Sequence, residues 1–237
     1  MFKNLFDFNL FYNKSKIEVK LSELNIKNYS INQDGSIDVD GDVDISHMNL
    51  KKIPIKFNKI NGDFDCSNNN LTSLKGAPTS VGGSFYCYNN KLTSLKYAPK
   101  LVNSNFYCYN NKIKSLFNIS ILSCNSFDCS NNNLTSLEGA PLMVNNSFDC
   151  SYNKLTSLKG SPTSVGGDFY CSYNKLTSLE GAPTSVDGSF YCHKNKIVSF
   201  EGAPKLVSGD FYCNKNKIEF IEKDIILNCK VKGNIYV

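Results

Sequence analysis

The cysteines are the first residues in this chain that could do chemistry. There are ten among 237 residues. Eight of them, Cys66, Cys87, Cys108, Cys129, Cys150, Cys171, Cys192 and Cys213, recur every 21 residues. A thiol can pair, bind metal or act as a nucleophile, and the spacing argues against all three. Each Cys holds the same place in its repeat, so no pairing logic separates one from another. Zinc sites use Cys-x-x-Cys or mixed Cys and His in loops, and neither pattern occurs. The cysteines are therefore expected to be a column of small buried hydrophobes with reduced thiols. With no signal-like segment, that points to a cytoplasmic setting. The two histidines, His47 and His193, stand alone. No phosphate loop, nucleophile elbow or zinc-protease motif is present. The acidic run Asp38, Asp40, Asp42, Asp44 lacks the glycine and glutamate offsets of a calcium-binding loop. The expectation is a protein that is not an enzyme, with no cofactor and no metal.

More informative residues lie beside the cysteines. Between each Phe and Cys the chain reads Asp65, Tyr86, Tyr107, Asp128, Asp149, Tyr170, Tyr191 and Tyr212, then Tyr236. Just after Cys stand Tyr88, Tyr109 and His193. Tyrosine offers a large rigid surface with a hydrogen-bonding tip, which suits protein recognition. The bland alternative is that Tyr simply favours strands. A second set, Lys91, Lys112, Lys154, Lys175, Lys196 and Lys217, follows a repeated Asn and forms a basic edge. Tyrosine with lysine can also hold a single-stranded nucleic acid. Against that reading, net charge is only +5, and Asp63, Asp65, Asp128, Asp149, Asp168 and Asp210 would share the face.

These side chains need a scaffold, and the columns supply one. Phe64, Phe85, Phe106, Phe127, Phe148, Phe169, Phe190 and Phe211 sit two residues before each Cys. Asn69, Asn90, Asn111, Asn132, Asn153, Asn174, Asn195 and Asn216 sit three after. Apolar columns follow at Leu71, Leu92, Ile113, Leu134, Leu155, Leu176, Ile197 and Ile218, and at Leu74, Leu95, Leu116, Leu137, Leu158, Leu179, Phe200 and Ile221. In Phe-x-Cys, strand alternation sends Phe and Cys inward and their neighbours outward. The Asn amide can satisfy backbone groups where the chain turns. Gly-Ala-Pro and Val-Gly-Gly build a return path too short for a regular helix. One unit cannot bury its own apolar face, so neighbours share the core.

The unit V-x-x-x-F-x-C-x-x-N-x-L-x-x-L resembles the leucine-rich repeat, L-x-x-L-x-L-x-x-N-x-L, over roughly residues 43 to 237. Its L-T-S-L-x-G-A-P form, as in Leu134 to Pro141 and Leu176 to Pro183, is similar to short repeats of tailed-phage, giant-virus and bacterial proteins. It is also similar to the L-T-S-L-P repeats of secreted bacterial effectors. The spacer from Val to Phe is one residue longer than in those effectors, and no ubiquitin-ligase domain follows. The resemblance implies a mostly β solenoid with a parallel sheet on its concave face and a short irregular convex side. It also implies a protein partner bound in the hollow. A phage or bacterial factor that blocks a host defence nuclease, as an anti-CRISPR protein does, is one instance.

The ends differ from the body. Residues 1–42 read as an N-terminal α/β cap. Met1 to Tyr12 is an aromatic packing segment, Ile17 to Asn28 an amphipathic helix, and Asp34-Gly35 a hairpin turn. Ile37, Val39, Val43 and Ile45 alternate with aspartates as half-buried strands do. Residues 43–237 read as the solenoid. The copy Leu116 to Cys124 lacks Gly-Ala-Pro but keeps its length; it is expected to repack the convex side, with a local contact site as the alternative. Val231 to Val237 matches Val207 to Cys213 with three residues inserted before it, so the chain is expected to finish on an open edge strand. Such edges pair, which allows a homodimer. No run is apolar enough to cross a membrane. The expected function is protein binding on the concave face. A structural or virion-associated assembly protein and a nucleic-acid binder stay open as alternatives.

Overall fold

A computed structural model describes residues 5–117, 119, 121–217, 219 and 221–237. Phe-Cys alternation produces one two-residue strand per repeat. Ten such strands, from Val43–Asp44 through Phe127–Asp128 to Ile235–Tyr236, stack in sequence order as one parallel sheet. The register keeps every column intact: Phe106 pairs with Phe127 and Phe127 with Phe148. The chain is a leucine-rich-repeat solenoid, mostly β, as its repeat predicts.

Phe and Cys do point inward. Phe64 and Cys66 are fully buried, as are Leu71 and Leu74, and the same holds coil after coil. Successive Phe rings pile up with centroids 5.2–5.8 Å apart along Phe64 to Phe211. Each such side chain contributes roughly 1.5–3 kcal/mol on full burial. That burial exists only because a neighbouring coil covers it. Ile218 of the first leucine column lies outside the described residues. Ile221, expected in the second column, is instead 63% exposed. The inserted residues form a short helix, Glu222–Ile226, whose Ile225 is fully buried.

The return path is more regular than an irregular loop. Residues just before each Phe form a second parallel ladder of short strands. Its first part is Ile37–Val39, Phe57–Ile60, Ser80–Val81 and Leu101–Val102, with Tyr29–Ile31 added antiparallel at its edge; its second runs from Ser123–Cys124 to Lys230–Val231. The break between them falls at the irregular copy. There Cys124, not residue 123, pairs with Val144 and is buried in the valine column. The copy keeps its total length but carries one residue more before this column and one fewer after it.

At the N-terminal side the helix spans Leu5–Glu23, not 17–28. It stops before Asn25 and Asn28, which both have positive φ. Leu21, Leu24 and Ile26 are buried against the first coils. The packing expected of Met1 to Tyr12 concerns side chains outside those described. Tyr29–Ile31 and Ile37–Val39 form an antiparallel hairpin, and the second of these pairs in parallel with Phe57–Ile60. The hairpin thus continues the return-path ladder. At the other end Val231 and Ile235 are half-buried, whereas Val207 and Phe211 are wholly buried. No described helix is long and apolar enough to cross a membrane.

Candidate functional site

The buried columns fix what the outer ones can do. The Cys Sγ atoms donate to carbonyls of the next coil, Cys129 to Asp149 O and Cys171 to Tyr191 O, each at 3.3 Å. Burial pushes these thiols far above their ordinary range. Burial thus disfavours the thiolate that attack or ligation would require. Among the described residues no group of three His, Cys, Asp or Glu is placed to hold a metal ion.

The Asn column fastens coil to coil. Asn132 Nδ2 donates to Cys108 O and Cys129 O at 3.1 and 3.2 Å, and its Oδ1 accepts from Ile113 N at 2.9 Å. These bonds hold the turn that follows each strand, and so the residues flanking Cys.

Outside the core, Tyr86, Tyr107, Tyr170, Tyr191 and Tyr212 are half-buried and Tyr236 is exposed. Tyr170, Tyr191, Tyr212 and Tyr236 form one continuous stack, with centroids 4.4–4.6 Å apart and planes within 11°. A second aromatic block joins Tyr86 and Tyr107 (5.6 Å) to Tyr88 and Tyr109 (4.5 Å). Asp128 and Asp149, paired in register on adjacent strands, separate the two blocks. Burial raises the Asp128 pKa. Burial, then the neighbouring Asp128, raises Asp149 to about 6.

The aspartates also have a local task. Asp65, Asp128 and Asp149 each accept from the N–H two residues on, at Ser67, Ser130 and Ser151, at 2.8–2.9 Å. Their alternation with Tyr thus follows an Asp-x-Ser turn, a signal present in the sequence but read there as surface chemistry. Asp168 and Asp210 are likewise engaged. Each accepts a backbone N–H from the next coil, Ser189 N or Asn234 N, at 2.7 Å. Each also accepts a tyrosine hydroxyl, from Tyr170 (2.7 Å) or Tyr212 (3.1 Å). Burial raises both phenols, Tyr212 to about 12. His193 is half-buried, with Nδ1 3.0 Å from Ser172 Oγ and its ring edge-on to Tyr173. Burial, then Lys194 and Lys215, lowers its pKa.

Lys91, Lys112, Lys154, Lys175, Lys196 and Lys217 line one edge of the sheet, all exposed. Next to them runs a further outward column, two residues after each Cys. Asn68, Asn89, Asn110, Asn131, Tyr152, Tyr173, Lys194 and Lys215 all adopt φ between +50° and +59°. Asn tolerates this left-handed conformation, and Tyr and Lys do so poorly. Tyr152 and Tyr173 stack at 4.0 Å. The Lys194 ammonium lies 4.3 Å from the Tyr173 centroid and donates to its hydroxyl, which lowers the Tyr173 pKa.

Compared with known proteins, the sequence matches no family model and no curated protein. Among solved structures it is similar to YopM from Yersinia enterocolitica, a leucine-rich-repeat protein, at 16% identity and a TM-score of 0.37. That match covers 83% of this chain and 55% of the other. The fold class rests on this chain's own coils: a mostly β leucine-rich-repeat solenoid.

Proposed function

We propose that this chain binds a protein partner on the face of its ten-strand sheet, with Tyr86, Tyr88, Tyr107, Tyr109, Tyr170, Tyr191, Tyr212 and Tyr236 as contact surface. Asp65, Asp128, Asp149 and His193 complete that surface. One observation carries the reading. The inward columns scarcely vary, while the outward column sets two tyrosine blocks about a pair of half-buried carboxyls. Rigid aromatic groups already held in place lose little freedom on binding, which favours tight recognition. Nucleic acid is disfavoured because the rings of the long stack cover one another's faces, leaving few for a base.

The narrower form rests on the repeat resemblance: a phage or bacterial factor that engages a host protein, such as a defence nuclease, in the host cytoplasm. The alternative reading is a structural or virion-associated assembly protein, including a homodimer through Ile235–Tyr236. Affinity capture with the tagged chain and with Tyr107→Ala/Tyr170→Ala/Tyr191→Ala tests the main reading. The variant is expected to lose the captured partner while keeping a cooperative melt. Undiminished capture by the folded variant rejects the sheet face.

A further inference from the structure

The turn edge changes character along the solenoid. In the first coils the left-handed position holds Asn68, Asn89, Asn110 and Asn131, whose amides bond in a row, Asn89 to Asn68 at 2.7 Å and Asn131 to Asn110 at 2.9 Å. In later coils the same position holds Lys194 and Lys215, and the exposed column beside it holds Lys154, Lys175, Lys196 and Lys217. Adjacent coils repeat at about 4.8 Å, so like charges stand over one another. The ion pairs among the described residues are Lys20–Glu23, Lys56–Asp34 and Lys159–Glu180. None relieves this cluster. The sequence therefore accepts both backbone strain and charge repulsion at one edge of the last coils, where the earlier coils show that Asn would avoid both.

We infer that this lysine edge docks an extended acidic segment of the protein partner. The inference rests on the interaction reading above and adds the partner's chemistry. Carboxylates along such a segment complement ammonium groups repeating from coil to coil. A polynucleotide fits less well. Tyr152 and Tyr173 cover one face of each other, and Lys194 covers the second face of Tyr173. A protein can also bring cations to Asp128 and Asp149 on the neighbouring strands, which a polyanion cannot.

The test uses the full chain, labelled octaglutamate and labelled oligothymidylate, with binding read by fluorescence anisotropy at low and raised salt. Lys194→Asn/Lys215→Asn restores the residue of the earlier coils and removes two charges. Octaglutamate is expected to bind the parent at low salt, and about tenfold less tightly to this variant. The variant's melting temperature should not fall, because relief of strain and repulsion offsets the lost Lys194 contacts with Tyr173. A lysine pair with only a structural role would instead lower it. Lys196→Gln/Lys217→Gln repeats the measurement at positions without left-handed backbone. The inference is overturned by no octaglutamate binding, by equal binding to parent and both variants, or by oligothymidylate binding more tightly than the peptide. The tyrosines of the sheet variant are untouched here. Octaglutamate binding with tyrosine-independent capture defeats only the sheet reading; tyrosine-dependent capture without octaglutamate binding defeats only the lysine edge.

Discussion

Asn111 is bonded to Leu92 across coils: the Leu92 N–H donates to Asn111 Oδ1 at 2.9 Å, over a sequence separation of 19. The same amide donates from Nδ2 to Cys87 O and Cys108 O at 3.1 Å and to Tyr109 O at 3.2 Å. One side chain thus serves one buried N–H and three carbonyls. Only a primary amide has both functions at this length, which is why Asn recurs here while the surface columns drift.

Replacing Asn111 by Ala leaves buried backbone groups without partners. A loss of about 3 kcal/mol is expected, since each orphaned group costs roughly 1–3 kcal/mol. Denaturant titration at constant slope measures it. Asn111→Asp should cost at least as much near neutral pH, because a carboxylate cannot donate. A loss below about 0.5 kcal/mol for the alanine variant would show that water replaces these bonds.

The thiols should be silent in the native state. All ten cysteines are buried and none is in a disulfide. Burial raises even the last, Cys229, to about 11. A thiol-exchange reagent at mildly alkaline pH is expected to label none rapidly, and all ten after unfolding in denaturant. Rapid native labelling of any cysteine in the Phe-x-Cys column would contradict the inward register.

Most of the fold was legible because inward positions repeat and chemistry at those positions is narrow. Phe127 and Cys129 could be assigned to the core from spacing alone. The second ladder was not legible, since a two-residue strand such as Ser80–Val81 shows no alternation. Cys124 hid a compensated shift: a copy of unchanged length looks regular until pairing shows which residue fills the valine column. The helix was misplaced because Leu5 to Lys16 lacks a clean apolar stripe, and position in the fold overrode weak local propensity. For the site, the tyrosine positions were readable from the strand period. The bonds from Asp149 to Ser151 and from Asp168 to Tyr170 were not, because they depend on turn geometry and on the neighbouring coil.

Gly160 marks where the return path cannot take a side chain. Its φ is +90°, and a Cβ there would lie 2.5 Å from Glu138 N. Gly160→Ala is expected to cost about 2 kcal/mol or more, from left-handed strain plus displacement of the adjacent coil. A thermal melt that stays within about 1 °C of the parent would mean the turn rebuilds without cost.

Asp149 gives the clearest pH signature. Its folded pKa, about 6, lies above the unfolded value near 3.9, because burial and then Asp128 disfavour its charge. A raised carboxyl binds more protons folded than unfolded between these values, so stability falls as pH rises through that window and the penalty is complete above it. Asp149→Asn keeps an oxygen for the Ser151 N–H, now bonded at 2.8 Å, and removes the charge. The variant should be more stable than the parent above pH 6, by on the order of 1–3 kcal/mol, and the gain should vanish as pH drops to about 4. Unfolding curves at a series of pH values check this. A gain independent of pH would assign the effect to packing, and a loss at neutral pH would mean that the Asp149 carboxylate is stabilised by the fold after all.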